Sequence, residues 1–204
     1  MIQYLTVAPI ASIIFAITIG MSLFAFSNET VYRKLMLHPY SIYRGSQTYT
    51  IITSGFIHKD WMHLFFNMIS YYFFAFQLEA VLGHWQFALL YMVSLALSDL
   101  PSILKHKNDY GYFSLGASGA ISAVVFSAIL FNPKGQMMIF PIPFFIPAYI
   151  FGILYLIYCA YMSKRSHDTI NHDAHFFGAI SGVLITIILN HQIITYFLNQ
   201  FGVK

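Results

Sequence analysis

Long apolar runs, each closed by a short cluster of polar, charged or Pro/Gly residues, organise this 204-residue chain. Six of them approach the roughly 20 residues that a helix needs to cross a ~30 Å hydrocarbon core. The first extends from about Val7 to Phe26, the second from about Trp61 to Leu78, and the third from about Trp85 to Leu104 despite Asp99 and Pro101. The fourth runs from about Leu115 to Phe131 and is stopped by the breaker cluster Asn132-Pro133-Lys134-Gly135. The fifth covers about Ile142 to Met162, with Pro141, Pro143 and Pro147 near its start, and the sixth about Ala174 to Leu198. A long polar-aromatic connection, Ser27 to about Gly55, separates the first two runs, and Lys105 to Tyr112 reads as a polar loop. No repeat or low-complexity linker interrupts the series. The pattern predicts an all-α polytopic membrane protein, one six-helix bundle over residues 1–204.

Composition supports the membrane setting. The chain is 58% hydrophobic and 8% charged, against roughly 45–50% and about 25% in a soluble domain. Ten basic and seven acidic residues give a net charge of +3, but the basic side chains are scattered and form no patch for nucleic acid. The single cysteine, Cys159, excludes an intramolecular disulfide framework and reads as a small core or lipid-facing residue. Met1 to Thr6 lacks a basic n-region, and the apolar run behind it is long enough to span, so the start is read as a span and not as a cleaved signal.

Polar groups left unpaired in hydrocarbon cost several kcal/mol, so ionisable residues inside spans are functional candidates. Gly116-Ala117-Ser118-Gly119 opens the fourth run, and His175 lies near the start of the sixth. Ser118 stands where a helix begins, beside backbone N–H groups without intrahelical acceptors. A nucleophile, a base and such a helix end are the parts that acyl transfer uses. Serine is also a common packing residue, and small residues recur here as Gly116/Ala120 and Gly119/Ala123/Ser127, a ridge that admits another backbone. Gly178 and Gly182 form a matching GxxxG step one turn beyond His175. Packing that step on the ridge would bring hydroxyl and imidazole within reach. Asp173, two residues from His175, points to nearly the opposite side of a helix, so a Ser–His dyad fits better than a triad. His63 and Asn67, four apart, share a helix face and offer N–H donors for an oxyanion, or an interhelical hydrogen bond that only holds helices together. His58 does not share that face. His84, His106, His167, His172 and His191 sit near predicted span ends, where an amphipathic ring suits the interface; His38, before Pro39, is expected to fix a turn.

In this order, the motifs resemble those of the rhomboid family of intramembrane serine proteases. The matching pieces are His63-Leu64-Phe65-Phe66-Asn67, then Glu79 and Gly83, then Gly116-Ala117-Ser118-Gly119, and finally Ala174-His175-Phe176-Phe177-Gly178 with Gly182. The resemblance implies Ser118 as nucleophile, His175 as general base, and His63, Asn67 and the Ser118 N–H as oxyanion donors, with Gly116 giving substrate room to approach. It implies transmembrane helices of other membrane proteins as substrates, and neither metal nor cofactor. Two positions depart from the family pattern. Tyr49-Thr50 stands where a Trp-Arg pair is usual, and Ser122 stands where many members carry a tyrosine packed on the catalytic histidine.

Other classes fit less well. No His-Glu-x-x-His metalloprotease motif is present, Asp99 has no partner aspartate for an aspartyl protease, and no inverted repeat suggests a transporter. The alternative is an inactive rhomboid-like protein that binds transmembrane segments; such a protein should have lost Ser118 or His175, and both are present. A compact multi-pass chain of this kind fits the bacterial plasma (inner) membrane. The resemblance also implies cytoplasmic termini, which would leave Arg33, Lys34, Arg44, Lys59, Lys105, Lys107, Lys164 and Arg165 outside and only Lys134 and Lys204 inside. This is the reverse of the positive-inside rule. Termini inside is still expected, because the aromatic-rich first connection should fold onto the membrane surface as a unit.

Overall fold

The computed structural model describes residues 6–138, 144–165 and 170–203. Helix α1 (Pro9–Ser27) opens on a proline, which needs no N–H partner at that position. The next N–H groups, of Ile10 and Ala11, donate to the Glu79 carboxyl at 3.1 and 2.6 Å, and His84 Nδ1 lies 2.6 Å from the same group. Glu79 belongs to α5, defined below, and is fully buried. An acidic group in that position is held by a helix N-terminus and a histidine. It carries the second expected span beyond Leu78, to Leu82, where Gly83 at φ +103° ends it.

The first connection is folded. It forms α2 (Glu29–Leu35), α3 (Pro39–Tyr43), α4 (Thr50–Thr53) and a 3₁₀ turn, Ser54–Phe56. His38 holds it in place: Nδ1 is 2.8 Å from Ser41 Oγ, Nε2 is 3.0 Å from the Tyr110 carbonyl, and the ring stacks on Phe113. Leu37 and Ser114 exchange backbone hydrogen bonds of 2.9 and 3.1 Å. The connection therefore rests on the loop that leads to Ser118.

Helix α5 (Trp61–Leu82) is capped by Asp60, whose carboxylate accepts the His63 N–H, and α6 is His84–Lys105. Helix α7 (Ser118–Phe131) is apolar on all sides, and nine of its fourteen residues are buried. It sits among α5, α6, α8 (Ala148–Arg165) and α9 (His172–Leu189), and its pairing with α9 is the most extensive among the described elements.

Three sequence boundaries are corrected. The fourth run yields a helix only from Ser118, because Ser114 is paired with Leu37 and Gly116 adopts φ +119°. The expected start of the fifth span, Ile142, lies with Pro141 and Pro143 outside the described residues, as do His167 and Lys204. Before Ala148 the chain is extended, pairing β1 (Gln136–Met138) with β2 (Phe145–Pro147) in antiparallel register. Pro147 disfavours helix at Ile146, and the Ala148 and Tyr149 N–H groups donate to Gly135 and Pro133 carbonyls in the breaker cluster. The sixth run is two helices, α9 and α10 (Ile193–Asn199). Asn190 leaves helical space, and its side-chain oxygen accepts the Gln192 N–H at 3.2 Å, an Asx turn that separates the two helices. Among the described residues, α1, α5, α6 and α9 are long and apolar enough to cross a membrane. Against the six spans expected, the described residues give four such helices and the shorter apolar α7.

Candidate active site

Ser118 is the first residue of α7 and is partly exposed. The approach to it is built by Gly116, whose N–H donates to the Ser54 carbonyl at 2.9 Å. A methyl group on Gly116 would lie 2.6 Å from His63 Cε1 and 2.9 Å from Nε2, so the His63 imidazole lies directly on this glycine. Positive φ and this contact together require glycine. Ser54 also hydrogen-bonds the Asp99 side chain from α6, which fixes the turn beneath the loop.

His58 anchors the same loop from below. It is fully buried, with Nδ1 2.9 Å from Ser22 Oγ and Nε2 3.5 Å from the Ala117 N–H. The Ser22 hydroxyl is 3.2 Å from the Phe56 carbonyl. One assignment satisfies all three: Ser22 donates to Phe56, His58 Nδ1–H donates to Ser22, and Nε2 accepts from Ala117. Burial, reinforced by His63 and opposed by Asp60, lowers the His58 pKa to about 3. The neutral ring that this pattern needs is therefore the stable form near neutral pH.

The glycine step of α9 docks on the ridge of α7, as the spacing predicts. A methyl on Gly178 would stand 2.1 Å from the Gly119 carbonyl oxygen, and one on Gly182 2.3 Å from that of Ala123. A methyl on Gly119 would meet Ser98 Oγ at 2.2 Å and the Ala174 carbonyl oxygen at 3.3 Å. Lower down, the Ser127 and Thr186 hydroxyls are 2.6 Å apart. The residues in this backbone contact at the top, Gly119 and Ala174, are the immediate neighbours of Ser118 and His175. The two helix starts are thereby brought together.

The start of α9 is pinned by Asn171. Its Oδ1 accepts the Ala174 N–H at 3.0 Å, while Nδ2 donates to Ser102 Oγ at 2.7 Å and lies 3.3 Å from Ser114 Oγ. Asp173 faces away from the site and bonds Ser163 Oγ and, at 3.2 Å, Lys105 Nζ. Tyr155 from α8 lies nearly parallel to the His175 ring, at 15° with centroids 6.3 Å apart, and its hydroxyl is 2.8 Å from Ser122 Oγ. Ser122 thus holds by hydrogen bond a ring that a tyrosine at its own position would supply directly.

Asn67 is buried on α5, and its Nδ2 has no hydrogen-bond acceptor among the described residues. Buried amide N–H groups are seldom left without a partner. Sequence reasoning missed His58, Asn171 and Tyr155. Asn171 carries a legible signal, a cap residue just before an apolar-periodic segment; the other two depend on tertiary placement alone.

A family model described as the Rhomboid domain matches residues 45–192, more than half of the chain. YdcA of Bacillus subtilis, which carries a rhomboid-protease name, is 29% identical over 144 residues, 71% of this chain and 68% of its own length. The RHOMBOID-like protein 12, mitochondrial, of Arabidopsis thaliana is 27% identical over 153 residues, 67% of this chain and 45% of its own. Rhomboid protein 1, mitochondrial, of Saccharomyces cerevisiae is 31% identical over 140 residues, 66% of this chain and 40% of its own. The chain thus spans under half the length of the two mitochondrial relatives. Both the order of the motifs and the extent of the match lead to one assignment: this chain belongs to the rhomboid family.

Proposed function

We propose that the protein is an intramembrane serine endopeptidase that cleaves transmembrane helices of other membrane proteins through a Ser118–His175 dyad. The observation that carries this reading is the docking of Gly178 on Gly119, which puts the two helix starts side by side. The Ser118 hydroxyl attacks the scissile carbonyl carbon while His175 takes its proton. His175 returns that proton to the departing amine, and water then hydrolyses the acyl-enzyme by the same route in reverse. The Asn67 amide, the His63 ring N–H and the Ser118 backbone N–H hold the developing oxyanion. Tyr155, fixed by Ser122, keeps the imidazole plane in register.

Depth follows from helix length. A fourteen-residue helix rises about 21 Å, less than the ~30 Å hydrocarbon core, so one end of α7 lies below the membrane surface among longer neighbours. In this reading the six expected spans are α1, α5, α6, α7, α8 and α9, arranged as one bundle. The test is labelling by a serine-directed fluorophosphonate, together with cleavage of a single-span reporter in liposomes. Wild type is expected to label and cleave, and Ser118→Ala to do neither. A Ser118→Ala chain that still cleaves removes the serine-peptidase reading, and a wild type that binds the reporter without cutting it makes the protein a binder of transmembrane helices.

A further inference from the structure

Beside the dyad, α8 and α9 gather a second set of chemical groups. Cys159 of α8 and His172 and His175 of α9 present one sulfur and two ring nitrogens that all lie within 4.8 Å of one another. Cys159 is fully buried, His172 is 3% exposed, and His175 is partly exposed. We propose that these three side chains bind a borderline-soft divalent cation of the zinc class, and that its binding switches the peptidase off by engaging the His175 ring. The switch rests on His175 being the general base; the binding site does not.

The donor set selects the ion. One thiolate and two imidazoles suit zinc and exclude calcium and magnesium, which take oxygen ligands. In a tetrahedral zinc site with bonds of ~2.0–2.3 Å, ligand atoms stand roughly 3.3–3.6 Å apart, so the cluster needs to contract by about an ångström. His172 and His175, three apart on α9, already share a face. The contraction falls on α8, which buries only Ala148, Gly152 and Cys159 and can shift without opening the α7–α9 seam. Binding replaces the thiol proton, which leaves to solvent, and the thiolate–metal bond takes its place. The carboxylate nearest in sequence, Asp173, is bonded to Ser163 and Lys105, so the thiolate supplies the charge that retains the ion.

The effect on the dyad does not depend on which ring nitrogen is used. A metal on the nitrogen facing Ser118 occupies the lone pair that would take the hydroxyl proton. A metal on the other nitrogen leaves the proton of the neutral imidazole on the nitrogen facing Ser118, which then has no lone pair to take the hydroxyl proton. Both routes slow acylation, and removing the ion restores it.

The experiment uses the full chain, purified in detergent and freed of metal. Cobalt(II) is the probe for binding. Wild type is expected to take up one equivalent, with a near-ultraviolet thiolate-to-cobalt band and tetrahedral visible bands that zinc displaces. Cys159→Ala and Cys159→Ser should each lose the charge-transfer band, and His172→Gln should weaken binding at least tenfold. Zinc should lower wild-type cleavage at least tenfold, reversibly with EDTA, while Cys159→Ala keeps its metal-free cleavage and resists zinc. Absence of a Cys159-dependent band overturns the site. The band without inhibition, or equal inhibition of Cys159→Ala, overturns the switch. The cobalt spectra are repeated on Ser118→Ala, so the metal site stands or falls on its spectra even where the peptidase reading fails.

Discussion

Helices α7 and α8 approach the same histidine in opposite ways. Nine of the fourteen residues of α7 are buried, and its backbone meets that of α9 with no room for a methyl group at Gly178 or Gly182. Only three of the eighteen residues of α8 are buried. A methyl added at its Gly152 would lie 3.4 Å from Ile129 and 3.5 Å from Phe126, ordinary packing distances. The contrast separates two demands on one site. The spacing of Ser118 and His175 is set by backbone contact, which cannot drift. The setting of the imidazole plane is left to the single buried edge of a looser helix, through Tyr155.

The largest expected effects fall on the rigid side. Ser118→Ala and His175→Ala should each lower turnover of the reporter by roughly ten-thousandfold or more, and the double variant should be little worse than either, because the pair acts as one unit. Additive losses would mean that the two residues do not cooperate. Asn67→Ala should reduce kcat by roughly ten- to a thousandfold, the scale of one lost oxyanion donor, with unchanged thermal unfolding. A large drop in unfolding temperature with normal kcat would instead make Asn67 a packing residue.

Two alanine substitutions compare the helices directly. Gly178→Ala forces a methyl against the Gly119 carbonyl and should cost about 1–3 kcal/mol, seen as earlier unfolding in detergent together with lost cleavage. Gly152→Ala places the same methyl in open contact and should stabilise by up to about 1 kcal/mol, the helix preference for alanine. Equal responses would show that the two seams do not differ in rigidity.

Smaller effects test the ring beside His175. Tyr155→Phe keeps the stack and loses the tie to Ser122, so a fall of a few-fold in kcat is expected. Tyr155→Leu removes both and should cost about tenfold, the scale of one aromatic contact with one hydrogen bond. KM should hardly move, since the ring is aimed at the base and not at substrate. A separate effect is on pH. His58 is neutral in the folded protein, with its pKa near 3, while in the unfolded chain it titrates near 6.5. Stability from this group is complete above pH ~6.5 and is lost progressively as pH falls from there toward 3. Unfolding midpoints between pH 8 and 4 should fall less in His58→Phe than in wild type.

Much of this arrangement was legible in the chain. Ser118, His175 and the Gly178/Gly182 step lie in strongly periodic runs, and a small ridge facing a GxxxG step has few ways to pack. The break at Asn190 was not legible, because Ile188, Leu189, Ile193 and Ile194 keep the segment apolar across it and one Asx turn decides the matter locally. The ring supplied by Tyr155 left no signal, since its partner Ser122 lies thirty-three residues away on another helix. His58 does not share the face of His63 and Asn67, so spacing gives it no part; its role appears only when α1 brings Ser22 against it.

The hold of α1 on Glu79 has a consequence for what counts as a self-sufficient unit. The segment that matches the family begins at residue 45, beyond the end of α1. Yet α1 supplies the donors for the buried Glu79 carboxyl, the Ser22 hydroxyl for His58, and the Ala11 carbonyl that accepts the Tyr71 hydroxyl at 3.1 Å. A chain begun at residue 45 would keep every residue of the proposed dyad and oxyanion site. It would also leave Tyr71 without its acceptor, Glu79 with His84 but no helix N–H, and His58 without Ser22, each lost bond at a cost of roughly 1–3 kcal/mol. The stretch that sequence likeness recognises is therefore smaller than the stretch that can fold, and transplanting the one without the other should yield an aggregate rather than a peptidase.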